Sequence, residues 1–448
     1  MASSPNRRGV SWLRKELPGL VSNGTITAET ARALERHYET SASGSRNFGF
    51  ALLAIVGSAL VAAGVVLLVA HNWDEFSRPL RSVIAFLPLV SAQLLSAFVL
   101  RCRYKSKAWC ESAAIFNVAG IGTAISLVSQ TYQIHGSLAQ FVVVWLLLSL
   151  PLVYLMRTTL GAIAYLAGAI WWLFLREGWA RSADPLLFWF LLALVVPFFG
   201  MLFRRDRSSH ETTGLAIVLA AAAAIALGFT AAYTKTNLGV LAFAGFFAAI
   251  YICGIEFFPP RHPERLHPLA LLGAVAIGAM TIVLTFEEIW LLARDATRPD
   301  SLRQMIGVLI ELSFPIAALA LAAWSFARRK MQFSVLAAAF PLVVGIGWLI
   351  AIQCHTRSDE GTQAPCATTA SILLNVYALG LGVELIARGM RAGSPARANF
   401  GLLIIAGLGL ARFFDSDLSF VARAIGFIVI GLGFLLTNLF LFKRRRSA

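Results

Sequence analysis

The sequence predicts an all-α fold: a polytopic transmembrane helical bundle of about 14 spans, preceded by a short N-terminal cytosolic helical hairpin. Three observations carry this. Hydrophobic residues make up 58% of the 448 and charged residues only 14%, with a mean hydropathy of +0.74. Apolar runs of roughly 20 residues, enough to cross a hydrocarbon core about 30 Å thick, recur nearly end to end. Lysine and arginine collect in alternate loops, which is how membrane topology is written into a chain. A water-soluble domain of this size could not hide so much apolar surface.

The chain divides into residues 1–47, a polar hairpin and linker; 48–442, the transmembrane domain; and 443–448, a basic tail. Nothing before the first apolar run looks like a cleavable signal peptide, so that run is expected to anchor the chain. In the hairpin, Trp12, Leu13, Leu17 and Leu20 give one apolar helix face. Asn23-Gly24 marks a turn, and Thr27 stands as the N-cap of a second helix reaching about Tyr38. Ile26, Ala31, Leu34 and Tyr38 would face inward. A unit this small lacks an independent core, so residues 11–38 are expected to pack on the rest of the chain or on a cytosolic protein partner.

The expected spans are 48–70, 82–100, 112–130, 139–156, 158–175, 185–203, 213–233, 238–257, 268–286, 304–327, 332–352, 368–387, 399–414 and 421–442. With the N-terminus inside, lysine and arginine on the inner side outnumber those on the outer side by more than two to one. Both termini are therefore expected to be cytoplasmic. The net charge of +15 follows from this asymmetry. Long basic stripes with interleaved aromatics are missing, which argues against nucleic acid as a partner and leaves the lipid bilayer.

Within the spans, Gly57 with Gly64, Gly161 with Gly168, and Gly426, Gly431 and Gly433 are expected to let helices approach closely. Pro88, Pro151, Pro197, Pro315 and Pro341 are the expected helix breaks. Of the five cysteines, Cys102 and Cys110 lie in a basic inner loop and are expected to stay thiols, and Cys253 to pack within a span. Cys354 and Cys366 share an outer loop and form a candidate disulfide. No CxxC or HExxH occurs, so neither a metal nor another cofactor is expected.

Ionisable groups at membrane depth are costly and mark candidate sites. Glu311 is the one acid well inside a span, about 10 Å below the outer surface at 1.5 Å rise per residue. Pro315 follows it by one turn. A buried carboxyl there suits a proton- or cation-coupled site, or else a hydrogen bond to a neighbouring helix. Glu384 with Arg388 at i+4 reads as an interfacial ion pair. Three outer-face clusters complete the candidate intramembrane polar site: His71, Asn72 and Asp74 beside Trp73; Gln130, Gln133 and His135 beside Tyr132; and Arg412, Asp415 and Arg423. Each also suits plain interfacial anchoring.

These residues resemble a known family. The hairpin with Gly24, Ile26 and Thr27, the first span ending in His71-Asn72-Trp73-Asp74, and Gly122 to Gln130 followed by Tyr132, Gln133, His135 and Gly136 are similar to the start of the bacterial membrane family called domain of unknown function 2157. The segment 399–446, with Arg412-Phe413-Phe414-Asp415 and Arg423, is similar to the tail of such proteins. The resemblance implies an integral protein of a bacterial cell inner membrane and implies no activity.

Three function classes follow. The span count, Glu311 and the outer polar clusters favour a transporter, or a flippase-like protein for a lipid-linked or amphiphilic molecule. A membrane-anchored scaffold or sensor, binding a partner through its N-terminal hairpin, is the alternative. A membrane-embedded enzyme has least support, since the chain carries no nucleophile elbow, metal-ligand signature or paired carboxylates; the expectation is no enzyme and no catalytic residue.

Overall fold

In the computed structural model of the chain, the described residues are 16–31, 33–34, 75–175, 185–258, 267–291, 299–328, 333–355 and 364–413, with isolated positions between 421 and 433. The expected spans 48–70 and 421–442 lie wholly or largely outside these residues. The chain falls into two compact units, Met1–Ile84 and Ala85–Ala448.

In the first unit, residues 16–22 are helical and a turn follows at Asn23 and Gly24, where Gly24 has φ +69°. That left-handed conformation is one glycine adopts without a Cβ penalty. The Thr27 hydroxyl accepts from the Thr30 backbone N–H at 3.2 Å, so Thr27 caps the next helical residues. Leu17 is buried.

The second unit is built from helices throughout its described residues. In chain order the helices are α1 (Arg78–Phe98, whose residues up to Ile84 belong to the first unit, extended by a π-helical turn Val99–Arg103), α2 (Lys107–Tyr132), α3 (Leu138–Met156), α4 (Thr159–Leu175), α5 (Pro185–Ala193), α6 (Val196–Arg205), α7 (His210–Thr234), α8 (Gly239–Glu256), α9 (Pro268–Val283), α10 (Glu287–Leu291), α11 (Leu302–Ala327), α12 (Val335–His355), α13 (Ala364–Arg391) and α14 (Pro395–Phe413). Every expected span that falls on described residues coincides with one of these helices or with a pair of them. Among the described residues nine helical segments are long and apolar enough to span a membrane, and α4 and α9 are shorter apolar helices.

The side chains are arranged as lipid requires. On α11, Leu309 is 67% exposed and Ile316 64%, whereas Glu311 and Ser325 are fully buried. A helix with leucine outside and glutamate inside reverses the water-soluble pattern and fits a hydrocarbon surround. Two apolar cores form, one from Val142 to Phe229 on α3–α7 and one from Ala244 to Ile404 on α8–α14; a smaller cluster from Ala216 to Leu269 contains residues of α7, α8 and α9.

Apolar burial gives helices in lipid little reason to associate, so close backbone contact does that work. Helix α8 packs on α9, α11 and α12. At Gly245 a Cβ would sit 2.2 Å from the Pro315 nitrogen, and at Gly401 a Cβ would sit 2.5 Å from the Gly382 carbonyl oxygen. Of the glycines expected to pack, Gly168 meets Leu146 of α3, but Gly161 meets chiefly Thr158 of its own turn and Gly431 meets nothing within 4 Å. Gly57, Gly64 and Gly426 lie outside the described residues.

The expected proline breaks need correction. Pro88, Pro151, Pro315 and Pro341 lie inside continuous helices. Only Pro197 stands at an interruption, in the first turn of α6 after the Leu194–Val195 break. There the hydroxyls of Tyr154 and Tyr165 donate to the carbonyls of Leu194 and Leu191. A second interruption, Leu284–Phe286, carries no proline at all. Long helices absorb proline when neighbouring groups re-satisfy the backbone, so proline alone is a weak marker of a break in a membrane.

Two carboxylates cap helix starts on other elements. Glu384 of α13 accepts from the backbone N–H groups of Val335 and Leu336, from the Ser334 hydroxyl and from Arg388 Nε at 2.9 Å. Glu111 of α2 accepts from the N–H groups of Thr159 and Leu160 at 2.8 and 2.9 Å. Negative charge at a helix N-terminus is favourable, and these contacts satisfy orphan donors of α12 and α4. The expected Glu384–Arg388 pair is present, but its main partner is a neighbouring helix.

Candidate functional site

Helices α7 and α8 are joined by a tight turn, Lys235 to Leu238, in which Lys235 and Asn237 both have positive φ, +53° and +58°. The threonines on either side of Lys235 are buried. Thr234 donates from its hydroxyl to Glu311 Oε1 at 2.6 Å, and Thr236 donates to Oε2 at 3.0 Å. Both oxygens of the carboxyl are thus engaged. The contact is close because Gly307, one turn before Glu311 on α11, offers no side chain: a Cβ there would lie 2.6 Å from Thr234 Cγ2.

The second polar centre is the break between α9 and α10. The Thr285 carbonyl accepts from the Ser371 hydroxyl, from Asn375 Nδ2 at 3.5 Å and from Arg412 Nη2. Arg412 also donates from Nε to Asn375 Oδ1 at 3.2 Å, and its guanidinium lies 5.5 Å from the centroid of the Phe286 ring. Beside it, Trp290 Nε1 donates to the Leu284 carbonyl at 2.9 Å and the Thr368 hydroxyl to Glu287 Oε1 at 2.9 Å. Arginine suits this place because its planar fork reaches two acceptors at once.

A cavity of about 410 Å³ is lined by residues next in sequence to both centres. Its walls include Ala231, Asn237, Val240, Leu284 and Ile289. Asn237 adjoins Thr236, which holds Glu311, and Leu284 adjoins Thr285, which Arg412 caps. Asn237 Nδ2 is buried without a hydrogen-bond acceptor. A buried amide donor without an acceptor costs free energy, about 1–3 kcal/mol.

Gln130, Gln133 and His135 lie elsewhere. Gln133 takes φ +50° and ends α2, with its N–H donating to the Gln130 carbonyl at 3.4 Å. Ser137 and Gln140 form a reciprocal capping box that starts α3. His135, exposed, borders an apolar groove of about 600 Å³ with Gln93, Ser129 and Gln140 at its polar edge. This stretch shapes a turn between two helices, and it borders a different cavity from the one beside Asn237. His71, Asn72, Asp74, Asp415 and Arg423 lie outside the described residues. Cys366 is disulfide-bonded, the side chain of Cys354 is not among those described, and Cys102, Cys110 and Cys253 are free. Among the described residues no three His, Cys, Asp or Glu side chains gather as a metal ion would require.

The turn at Gly24, the α2–α3 turn and the helices on either side of it fall in one matched stretch. Residues 18–160 match the family model described as Predicted membrane protein (DUF2157). The DUF2157 match covers most of the N-terminal likeness read from the sequence, including Gly122 and Gln130 to Gly136. It stops short of Glu311 and Arg412, and the likeness over 399–446 lies outside it. No curated protein and no solved structure matches the chain. With the apolar outer surface of the helices, the DUF2157 match identifies a multi-span integral membrane protein. The residues that sequence reasoning missed are Thr234, Thr236, Asn237, Ser371 and Asn375, all uncharged and set within or beside long apolar runs.

Proposed function

We propose that this protein is a flippase-like membrane transporter for an amphiphile, with Glu311 as its proton-carrying group and the cavity beside Asn237 as its binding site. The observation that carries the reading is the fully buried Glu311, held through Thr234 and Thr236 to a turn whose next residue, Asn237, borders that cavity with an unused donor. Intramembrane carboxyls facing a bundle interior are costly and serve ion or proton pathways. Interrupted helices whose freed backbone groups meet side chains are a transporter device, and the α9–α10 break is of that kind.

In this reading the chain sits in a bacterial inner membrane with both termini cytoplasmic, as its lysine and arginine distribution favours. The test uses full-length protein in liposomes containing phosphatidylethanolamine labelled with a nitrobenzoxadiazole group, bleached from outside by dithionite under an imposed pH gradient. Lipid transfer above protein-free liposomes, lost in Glu311→Gln, is the expected result. Transfer that is unchanged in folded Glu311→Gln removes Glu311 from the mechanism.

A further inference from the structure

We propose that a basic cavity at the meeting of α2, α3 and α6 binds the phosphate headgroup of an anionic phospholipid. The site is separate from the cavity beside Asn237, and it stands whether or not that cavity transports anything.

The cavity measures about 750 Å³. Four cations line it, Lys105, Lys107, Arg157 and Arg205, together with two acids, Asp206 and Glu211. Both acids are already engaged. Glu211 pairs with Lys107, which also reaches Glu111 at 3.8 Å. Asp206 Oδ1 accepts from the backbone N–H and the hydroxyl of Ser208, each at 2.8 Å. Lys105, Arg157 and Arg205 make no ion pair among the described residues, and all three are exposed. Three cations without an ion pair, from the turn before α2, the end of α3 and the last turn of α6, therefore converge on one hollow whose lining carries two more positive than negative charges.

The floor of that hollow is greasy. Met156, Phe198, Met201 and Leu202 line it, and Met201 is 49% exposed. A free inorganic anion would gain nothing from this floor. A lipid would place its phosphate among the cations and its glycerol and upper acyl carbons on the methionines and Phe198. Basic hollows between spanning helices at a membrane face suit anionic lipid headgroups, with about 1 kcal/mol per lysine or arginine near the surface. Arg157 is held for this position: it ends α3 with φ +51°, a left-handed backbone that its bulk does not favour, and so points its residue out of the helix end.

The experiment is native mass spectrometry of the delipidated full-length protein in detergent, titrated with phosphatidylglycerol, phosphatidylcholine or inorganic phosphate. The site variant is Lys105→Gln with Arg157→Asn and Arg205→Gln, asparagine being chosen because it tolerates positive φ. The charge control is Arg101→Gln with Arg103→Gln and Arg204→Gln, which removes three nearby cations that do not line the cavity. The expected result is phosphatidylglycerol binding at least ten-fold tighter than phosphatidylcholine, weakened about ten-fold or more in the site variant and unchanged in the control. Equal loss in both variants would show diffuse attraction and overturn the site, and inorganic phosphate binding as tightly as the lipid would overturn the lipid assignment. Should the site variant fail to fold, photoactivatable phosphatidylglycerol on the unmodified protein decides: cross-links within 104–110 or 198–205 support the site, and cross-links only elsewhere sink it.

Discussion

Glu311 and Thr234 lie 77 residues apart in the chain and meet through a 2.6 Å hydrogen bond with both side chains buried. The pair ties the middle of α11 to the last residue of α7. Thr234→Val keeps the shape and removes the donor, leaving Glu311 Oε1 unpaired. Loss of a partner from a buried polar group costs about 1–3 kcal/mol. Thermal unfolding of the purified protein should fall accordingly for Thr234→Val, and a double-mutant cycle with Glu311→Gln should show that the two effects are not additive. Independent, additive effects would mean that the bond contributes nothing.

Gly245 is where α8 and α11 touch backbone to backbone, against Pro315. Proline cannot move aside as a flexible side chain can. Gly245→Ala should therefore lower stability by about 1–3 kcal/mol, the usual range for overpacking. Gly214→Ala, on α7 with open space around it, serves as the comparison and should leave the melting temperature unchanged.

Arg412 donates to both Asn375 and the Thr285 carbonyl. A lysine carries the charge but is a single point, unable to fork between the two. Arg412→Lys should lose most of the stability lost by Arg412→Ala, read as earlier thermal unfolding and faster proteolysis near the α9–α10 break. Full rescue by lysine would reduce the role of Arg412 to charge alone.

Cysteine chemistry offers a simple check. Cys102 is exposed and free, whereas Cys366 is disulfide-bonded. Maleimide labelling of unreduced protein should modify Cys102 and spare Cys366 until a reductant is added. Cys354→Ser should free Cys366 for labelling without reductant, and a Cys366 that stays protected in that variant would rule out the expected Cys354–Cys366 bridge.

Helix positions were legible because a bilayer imposes a length on every span: α3 at Leu138–Met156 and α8 at Gly239–Glu256 sit where the apolar runs lie. Glu311 was legible as a buried candidate because charge is rare at that depth. Its partners were not. Thr234 and Thr236 occupy a loop of a few residues between two apolar runs, and nothing in a threonine announces which distant helix it will meet. The close-packing glycines were equally silent. Gly245, Gly254 and Gly273 do what Gly161 and Gly431 were expected to do, because contact depends on which faces meet, and a single sequence does not record that. The proline reading failed for a related reason: at Leu284–Phe286 the break is held open by Ser371, Asn375 and Arg412, residues far along the chain.

Proton-coupled transfer through Glu311 is read out by lipid movement in proteoliposomes of the unmodified protein and folded Glu311→Gln, followed by dithionite bleaching under a pH gradient. The unmodified protein should show gradient-dependent transfer, and the variant only the protein-free background. Equal transfer by both, or none above background by the unmodified protein, would contradict that coupling.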